Sequence, residues 1–332
     1  MSTSAEEKVR FDGRVAIVTG AGSGLGRDYA LNLAARGAKV VVNDLGLDTR
    51  GAPLAASAES SAQVVVREIA ANGGQAIACH ESCATREGGA AIVRSAIEAF
   101  GRVDILIHNA GFLRNAAFEA LTDEQIGAIL DVHLMAGFYV GQPAFAAMKR
   151  QGYGRILLTS SASGAFGTPW QANYAAAKMG LVGLVNVIAL EGAKHGITAN
   201  GLLPAGSGRL GRPTDVDVDW PPEFREHLNP EMAVIRPAMR NDFVTPMVLW
   251  LVSEACRTTH SLYSATAGRF ARVFIGATQG WMSDHDEPPS PEDIGRRMAE
   301  IEDTSHFDIP GSMFREFDPI VSTRKAKLSR GG

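Results

Sequence analysis

The feature that most constrains the fold of this chain is the alternation of short apolar runs with helical segments over its first two thirds. Six runs are almost continuously apolar, as parallel strands buried on both faces should be; they are RVAIVTG, AKVVVND, GQAIAC, VDILIHNAG, GRILLTSSAS and ITANGLLPAG. Segments with helical length and pattern lie at 25–36, 60–72, 87–100, 122–149 and 173–195. A strand followed by a helix, repeated in this way, predicts an α/β protein with a doubly wound parallel sheet.

Two stretches break this alternation and predict loops. The stretch 45–60 is longer than a connection between a strand and its helix usually is, so we expect a surface excursion there. The stretch 206–240 is rich in glycine, proline and acidic residues and carries Trp220 and Phe224. Such a composition is typical of a mobile loop with apolar anchors, and it predicts a substrate lid.

The end of the chain predicts an extension of the same domain. We expect a single catalytic domain over 11–255 and a C-terminal extension over 256–332 that packs on it. Within the extension, the sequence SPED predicts a helix that is capped by Ser290 and has Pro291 in its first turn.

Composition and charge narrow the classes of partner. A net charge of −4 and a pI near 6.1 indicate neither nucleic acid nor an anionic membrane as a partner, and no apolar run is long enough to predict a membrane span. A small-molecule substrate is therefore expected. Cys79, Cys83 and Cys256 are too few and too badly spaced for a disulfide framework or a zinc site, so we expect packing thiols and no metal.

The two ends of the chain lead us to expect a cytoplasmic location. MSTSAEEKVRFDG is polar and acidic, unlike a signal peptide or a basic transit sequence. The tripeptide AKL near the end is followed by SRGG, so it does not have the position of a terminal peroxisomal address.

The glycine-rich TGAGSGLG follows the first apolar run and opens the first helix. This position lets backbone N–H groups and a helix N-terminus approach a pyrophosphate. Gly20 would allow the tight turn, Gly24 the approach of the backbone to the cofactor, and Gly26 the close packing of helix and strand. Ser23 and Leu25 lie in the same loop, so we expect all five residues at a dinucleotide.

Asp44 ends the second apolar run. A carboxylate there can accept hydrogen bonds from the adenosine ribose and would repel a 2′-phosphate. No arginine follows it directly, so NAD is predicted in preference to NADP. The alternative for Asp44 is a turn residue in NDLG.

QANYAAAK places Tyr174 and Lys178 four residues apart with only alanines between them. On a helix the two side chains would share one face. A nearby cation favours the phenolate, so Lys178 is expected to lower the pKa of Tyr174, which is otherwise about 10. The pair therefore predicts a proton donor and acceptor, while an ordinary helix face is the alternative for any such spacing.

Several motifs together resemble the short-chain dehydrogenase/reductase superfamily over about 11–255. They are TGAGSGLG, HNAG at 108–111, Ser161, the tyrosine and lysine of QANYAAAK, and LLPAG around Pro204. More narrowly, VVVNDLG with the long insertion after it, GRILLTSSASG, QANYAAAK and VLWLVSEAC resemble the (3R)-hydroxyacyl-CoA dehydrogenase unit of peroxisomal multifunctional enzymes of type 2. The resemblance implies a Rossmann-like sheet, and it fades past residue 256.

The resemblance also implies roles for individual residues. Tyr174 would exchange a proton with the substrate oxygen, Lys178 would lower the pKa of the phenol and hold the nicotinamide ribose, and Ser161 would hold the substrate oxygen. Asn109 would stabilise the sheet centre and line the cofactor site. Further cofactor contacts are implied at Ser82, Cys83, Gly111, Pro204 and Gly206. The helices at 122–149 and 173–195 resemble the pair through which family members associate, so a homodimer or homotetramer is expected.

His133, in DVHLMAGF, stands where most members of the superfamily have an asparagine. In those relatives the asparagine helps to hold a water that links the lysine to solvent, and the type 2 multifunctional unit resembles this chain in having histidine. A neutral imidazole can donate from one nitrogen and accept at the other, so it could replace the amide. A protonated imidazole would instead place a second cation near Lys178. The alternative is a structural histidine bonded inside the core.

Three functions agree with the sequence. The first is an NAD-dependent dehydrogenase acting on the 3-hydroxy group of an acyl-CoA; the second is a hydroxysteroid or other bulky secondary-alcohol dehydrogenase. The third is a nucleotide-binding protein without catalysis, which the presence of Ser161, Tyr174 and Lys178 argues against. Trp170, Trp220 and Phe224 would suit a flat apolar substrate, and four arginines could meet CoA phosphates. These are Arg209, Arg212, Arg225 and Arg236.

Overall fold

A computed structural model describes residues 8–46, 60–206, 232–283 and 287–330. Most of the expected surface excursion and most of the expected lid, with Trp220, Phe224 and three of the four arginines, lie outside these residues. The chain divides into two compact units, Met1–Arg272 and Val273–Gly332. The division expected at residue 255 therefore falls inside the first unit, because the chain adds two more strands to the sheet after that point.

In the described part of the chain, eight strands form one sheet in the order β3-β2-β1-β4-β5-β6-β7-β8. The strands are β1 (Val15–Thr19), β2 (Lys39–Asn43), β3 (Gln75–Cys79), β4 (Ile105–His108), β5 (Gly154–Thr159), β6 (Ile197–Ala205), β7 (Ser261–Thr266) and β8 (Arg269–Val273). Neighbouring strands from β3 to β7 are parallel. Ala267 and Gly268 connect β7 to β8 with positive φ angles of 48° and 83°, as in a tight hairpin turn.

Helices cover both faces of this sheet. The helices of the first unit are α1 (Gly24–Ala35), α2 (Ser61–Ala71), α3 (Arg86–Phe100), α4 (Asp123–Leu130), α5 (Ala136–Gln151), α6 (Ala162–Phe166), α7 (Ala172–Gly192), α8 (Met232–Ile235) and α9 (Thr245–Leu251). One apolar core holds α1, α2 and α9 against the sheet, and a second core on the other face holds α3, α5 and α7. The predicted doubly wound α/β architecture is confirmed.

The helix expected at 122–149 is present, and it runs without a break from Asp123 to Gln151. It consists of α4, a π-helical turn at Asp131–Met135 and α5. The turn was not predicted, because its residues continue the apolar helical pattern and neither glycine nor proline marks it. A π-helical turn inserts one residue into the backbone ladder and often occurs at a functional site.

One described helix, Ala172–His195, has the length and the mean hydropathy, 1.4, of a membrane span. The sequence expectation that no segment reaches this limit was therefore wrong. The helix is apolar on its inner side because it packs on the sheet, where Leu181, Val185 and Ala189 belong to the second core. The core helix of a soluble protein passes the same test of length and hydropathy.

The second unit contains the predicted SPED helix. The hydroxyl of Ser290 accepts a hydrogen bond from the backbone N–H of Asp293, and the Asp293 side chain accepts from the backbone N–H of Ser290. This reciprocal cap begins α10 (Pro291–Ile301). The unit also holds the strand pair β9 (Ala277–Thr278) and β10 (Phe307–Asp308), followed by α11 (Met313–Glu316) and α12 (Asp318–Arg330). The packing of this extension on the catalytic domain stays a prediction.

Candidate active site

The direction of the strand order changes between β1 and β4, so the chain leaves these two neighbouring strands toward opposite sides of the sheet. In open α/β sheets a ligand binds in the crevice at the carboxyl ends of such strands. The carboxyl end of β1 carries the glycine loop, and that of β4 carries HNAG. The fold therefore brings together the two motifs that the sequence placed at a cofactor.

The glycines of the loop lie where a side chain could not. Gly20 has a φ of +65°, and a Cβ added to it would lie 2.7 Å from Ala110 Cα. Gly24 has a φ of +55° and begins α1 directly after Ser23. A Cβ on Gly26 would overlap the carbonyl oxygen of Gly20, so α1 packs closely on the loop. The predicted roles of turn and close packing agree with this geometry.

The first backbone amides of α1 lack acceptors within the helix and lie at the positive end of its dipole. They therefore form a suitable site for a phosphate group. Leu25 lies beside this loop, and its Cδ2 would be 3.0 Å from a Cβ added to Gly206 after β6. Pro204 lies on β6 and pairs in register with Ala265 of β7. The expected cofactor residue Gly206, directly after β6, thus lies next to the start of α1.

Asn109 fixes the junction of β1 and β4. Its backbone N–H donates to Thr19 Oγ1 at 3.0 Å, and its amide nitrogen donates to the carbonyl oxygens of Thr19 at 3.2 Å and Gly20 at 3.4 Å. The expected role in stabilising the centre of the sheet agrees with these bonds. The side chain reaches the glycine loop directly, since a Cβ on Gly26 would come within 2.6 Å of its Nδ2.

Asp44 follows β2 and faces the glycine loop. Its Oδ2 accepts from the backbone N–H of Gly22 at 3.0 Å, and its Oδ1 accepts from Ser61 Oγ at 2.8 Å and from the backbone N–H of Gly46 at 2.7 Å. The hydrogen bond from the N–H of Gly46, two residues later, is typical of a turn, so Asp44 acts as a turn residue in the structure. Oδ2 can accept one more hydrogen bond, from a ribose hydroxyl, so a contact with the cofactor is compatible with the role of Asp44 in the turn.

Ser82 and Cys83 follow β3, beside β2. The hydroxyl of Ser82 accepts from the backbone N–H of Ala84 at 3.2 Å. Cys83 is buried in the second core, and burial raises the pKa of its thiol to about 12. The part of Cys83 that can meet a ligand is therefore its backbone. Contact of either residue with an adenine ring stays a prediction.

Tyr174 and Lys178 share one face of α7, as the spacing predicts. Lys178 Nζ lies 5.6 Å from the centre of the Tyr174 ring and donates to the carbonyl oxygen of Thr159 at 2.6 Å. Ser161 lies just after β5 and caps α6, and its hydroxyl lies close enough to the phenol of Tyr174 to lower the pKa of that phenol. Ser160 donates to the carbonyl oxygen of Lys178 at 2.7 Å, which ties β5 to α7. The three expected catalytic side chains are therefore adjacent.

The pKa values of Tyr174 and Lys178 differ from those expected from the sequence. Burial raises the pKa of Tyr174, and the nearby hydroxyl of Ser161 offsets only part of this effect. Burial also lowers the pKa of Lys178 to about 7. The prediction that Lys178 lowers the pKa of the phenol is wrong for the unliganded chain, because the lysine is itself desolvated and points its ammonium at a backbone carbonyl.

His133 lies in the π-helical turn and packs against the phenol. The centre of its ring is 5.1 Å from that of Tyr174, edge to face. Its Nε2 lies 2.8 Å from the carbonyl oxygen of Phe112 and 3.3 Å from the backbone nitrogen of the same residue. The carbonyl oxygen can only accept, so the shorter contact assigns the proton to Nε2. A Cβ on Gly111 would overlap His133 Cε1, so only glycine at position 111 leaves room for this ring.

The imidazole of His133 is neutral. Burial, together with the charge of Lys178, holds its pKa well below the usual 6.5. Of the two states considered from the sequence, the structure therefore favours the neutral one. Among the described residues none bonds His133 Nδ1, which is buried. The role of His133 as a proton relay stays a prediction.

Sequence reasoning missed three polar side chains in this region. Thr19 and His108 end β1 and β4 and are hydrogen-bonded to each other, and Ser61 begins α2 and bonds Asp44. A signal existed for Thr19 and His108, since polar residues at the carboxyl ends of neighbouring parallel strands meet at one edge. Ser61 follows a stretch outside the described residues, and nothing in its sequence context indicates the contact with Asp44.

Comparison with known proteins gives one family and several close relatives. A family model described as short chain dehydrogenase matches residues 14–208. A short-chain type dehydrogenase/reductase of Mycobacterium tuberculosis is 44% identical over 298 residues, which are 90% of this chain and 97% of that protein. The peroxisomal multifunctional enzyme type 2 of Mus musculus is 41% identical over 324 residues, which are 97% of this chain and 41% of that enzyme.

The architecture is shared with solved structures. The crystal structure of a short chain dehydrogenase from Mycobacterium avium matches with a TM-score of 0.72 and 35% identity, and the match covers 88% of this chain and 95% of that one. The chain thus spans nearly the whole of the relative from Mycobacterium tuberculosis but less than half of the mouse enzyme.

Proposed function

Because the chain belongs to the short-chain dehydrogenase family, and is therefore an oxidoreductase that uses a nicotinamide cofactor, we propose that it is an NAD-dependent dehydrogenase of 3-hydroxyacyl-CoA thioesters. The observation that carries the proposal is the adjacency of Ser161, Tyr174 and Lys178 at the carboxyl edge of the sheet. A nucleotide-binding protein without catalysis does not need these three groups together.

The chain's own residues can manage the proton in this reaction. The hydroxyl of Ser161 would hold the substrate oxygen beside the phenol, and Tyr174 would give its proton to a ketone or take one from an alcohol. NAD supplies the hydride acceptor when it is bound. The amino end of α1 would hold the pyrophosphate and Lys178 the nicotinamide ribose. These groups fit such a cofactor, since the backbone amides of α1, the Lys178 ammonium and the Asp44 carboxylate lie along one edge of the sheet.

The proposal of NAD over NADP rests on Asp44. Its carboxylate accepts three hydrogen bonds from the chain, so it is held in one orientation beside the glycine loop. A 2′-phosphate on the ribose would bring negative charge against this carboxylate. The hydroxyls of an unphosphorylated ribose can instead donate to Oδ2.

The acyl-CoA substrate is proposed from the likeness to multifunctional enzyme type 2. The motifs that resemble its (3R)-hydroxyacyl-CoA dehydrogenase unit include VVVNDLG and GRILLTSSASG, and the similarity extends over 97% of the chain. The rings of Phe112 and His133 pack beside the Tyr174 ring and form an aromatic wall next to its phenol. Such a wall suits the carbon chain of an acyl group.

A panel of substrates tests the proposal. Purified protein is mixed with NAD and either 3-hydroxyacyl-CoA thioesters of both configurations or steroid alcohols, and the formation of NADH is followed. We expect turnover of the (3R)-thioesters with the larger kcat/KM. Turnover of steroid alcohols alone would replace the proposed substrate with the bulky-alcohol alternative.

Tyr174→Phe tests the mechanism within the same panel. The ring stays and only the proton donor is lost, so kcat should fall by about 10³-fold while the Kd for NADH is unchanged. Near-normal turnover of the variant would contradict the role of the phenol. Tyr139→Phe is a matched control, because Tyr139 lies on α5 against Arg86 and away from the site.

We also propose that the chain forms a homo-oligomer. Val187 and Leu190 on the outer side of α7 are 53% and 52% exposed, and large apolar side chains on one helix face favour association with another subunit. Light scattering at micromolar concentration tests this proposal, and a monomer there would contradict it. A cytoplasmic location stays a proposal from the sequence.

A further inference from the structure

A buried chain of hydrogen bonds joins the start of the glycine loop to the π-helical turn. Thr19 Oγ1 lies 3.0 Å from His108 Nδ1, and His108 Nε2 lies 2.9 Å from the carbonyl oxygen of His133. All three residues are almost completely buried. The reaction described above uses neither Thr19 nor His108.

The partners determine where the protons lie. Thr19 Oγ1 accepts from the backbone N–H groups of Asn109 at 3.0 Å and Ala110 at 3.1 Å, so both of its lone pairs are used. Its own proton is therefore donated to His108 Nδ1. The carbonyl oxygen of His133 can only accept, so His108 Nε2 carries a proton. His108 is thus held as a neutral imidazole in one tautomer.

The last group in this series of hydrogen bonds, the carbonyl oxygen of His133, lies in the π-helical turn, where the backbone is irregular. In a π-helical turn the backbone N–H groups bond carbonyl oxygens five residues back instead of four, so the hydrogen-bond ladder changes register there. The carbonyl oxygen of His133, inside this turn, also lies in hydrogen-bond contact with the side chain of His108, which belongs to a different element. A hydrogen bond of this kind is worth about 0.5–1.5 kcal/mol net, so it favours the turn in its present position.

The position of the turn determines the position of the His133 ring. That ring is held by its Nε2 against the carbonyl of Phe112 at 2.8 Å and packs edge to face against Tyr174. His133 is therefore anchored twice, through its backbone to His108 and through its ring to Phe112. Loss of the first anchor lets the turn move, and the wall behind the phenol moves with it.

We propose that His108 is a positioning residue for Tyr174, acting through the π-helical turn and the His133 ring. The kinetic consequence rests on the proposed function, because it requires that Tyr174 transfers a proton. The hydrogen-bond chain itself does not depend on that function. His108 also ties this geometry to Thr19, directly before the glycine loop, so one side chain connects the cofactor side of the site to the proton side.

The variants His108→Gln and His108→Leu test the proposal. A glutamine can accept from Thr19 with its carbonyl group and donate to the carbonyl of His133 with its amide, whereas a leucine can do neither. We expect His108→Leu to lower kcat by about 10- to 100-fold through misplacement of the phenol, with the Kd for NADH unchanged. His108→Gln should recover most of the kcat.

Gln151→Leu is the matched control for lost stability. Gln151 accepts from the backbone N–H of Val103 at 3.1 Å and donates to its carbonyl oxygen at 2.7 Å, before the amino end of β4 and away from the site. The variant also loses two hydrogen bonds, so it should lower the melting temperature without lowering kcat. An equal loss of kcat in Gln151→Leu and His108→Leu would reduce the role of His108 to stability and overturn the proposal.

Two other kinetic results would also overturn it. One is a wild-type kcat in His108→Leu, and the other is an equal loss in His108→Gln and His108→Leu. If the leucine variant does not fold, Thr19→Val and Thr19→Ser make the same comparison from the other end of the chain of bonds. The valine lacks the hydroxyl that donates to His108 and accepts from the N–H groups of Asn109 and Ala110, whereas the serine keeps all three hydrogen bonds.

An inactive wild type would separate this proposal from the proposed function. If no alcohol of the panel is oxidised, the proposed function fails, and the positioning is then measured by the NMR signal of the Tyr174 ring. This signal is assigned in isotope-labelled protein with Tyr174→Phe. A signal that shifts in His108→Leu and returns in His108→Gln supports the positioning role, and one that stays in place overturns it.

Discussion

Replacement of Lys178 by methionine should change the stability of the protein with a sign that depends on pH. Lys178 is 3% exposed, and burial lowers its pKa from 10.5 to about 7. Below pH 7 the folded chain must hold a desolvated ammonium, whereas the unfolded chain holds a hydrated one. Lys178→Met has a side chain of similar length and removes this charge. The variant should be inactive, so the prediction concerns its folding.

The magnitude follows from the two pKa values. At about 1.4 kcal/mol for each unit of pKa, a fall from 10.5 to about 7 corresponds to about 5 kcal/mol of destabilisation at pH 6. At pH 10 the folded lysine is neutral and the unfolded lysine still holds about three quarters of its protons, so only about 1 kcal/mol of destabilisation remains. The methionine also loses the hydrogen bond to the carbonyl oxygen of Thr159, which is worth about 2 kcal/mol.

The sign can be checked from the protons bound. Between pH 7 and 10.5 the unfolded state binds more protons at Lys178 than the folded state does, so this residue makes the wild type more stable as the pH rises. Lys178→Met lacks this slope. It should be more stable than the wild type by about 3 kcal/mol at pH 6 and less stable by about 1 kcal/mol at pH 10.

Urea unfolding of both proteins at several pH values measures this difference. Titrating groups that do not interact with Lys178 cancel, because they are common to the two proteins. Lys194→Met is the matched control, since Lys194 is exposed and its replacement should give only a small pH-dependent difference, through the neighbouring His195. A difference between wild type and Lys178→Met that is the same at pH 6 and pH 10 would refute the desolvation of Lys178.

The remaining predictions concern the cofactor and proton sites. Asp44→Ala should narrow the preference for NAD over NADP, because the carboxylate that repels a 2′-phosphate is lost; an unchanged ratio of the two kcat/KM values would identify Asp44 as a turn residue alone. His133→Ala should slow turnover more than it weakens NAD binding, and His133→Asn should recover part of the loss. Because the imidazole is neutral, the pH profile of kcat should keep its shape in both variants, and loss of an ionisation at about 6.5 would contradict this. Gly111→Ala should lower kcat, because its Cβ overlaps the His133 ring; wild-type turnover would show that the ring can move away.

The architecture of the first unit could be predicted because it depends on local patterns that agree with one another. Continuous apolar runs can only be buried on two faces, and the glycines of the first loop match positive φ angles and close contacts that exclude a side chain. The pairing of Tyr174 with Lys178 follows from helical geometry alone. The adjacency of Ser161 required the resemblance to a family, because that residue approaches Tyr174 only through the fold.

The remaining features depend on burial and on contacts between distant segments. The bond between His108 and the carbonyl of His133 joins residues 25 positions apart, and the π-helical turn has no mark in the sequence. The pKa values of Tyr174 and Lys178 depend on how much water the fold removes, and spacing along a helix contains no information about that. The sequence indicates that Tyr174 and Lys178 come together, while the fold determines their pKa values and therefore their charge.

The pKa values of Tyr174 and Lys178 in the unliganded site determine which direction of the reaction, reduction of a ketone or oxidation of an alcohol, the site is ready to catalyse. Burial raises the pKa of Tyr174 and lowers that of Lys178 to about 7, so at neutral pH the phenol holds its proton and the lysine is charged in about half of the molecules. A protonated phenol beside Ser161 can donate to a ketone, whereas oxidation of an alcohol needs the phenolate. A ligand that offers hydrogen-bond acceptors to Lys178 would raise the pKa of the lysine, and the charged lysine would then lower the pKa of Tyr174. The basicity of Tyr174 is therefore coupled to occupation of the space beside Lys178, so that a base able to take the proton from an alcohol forms only in the complex.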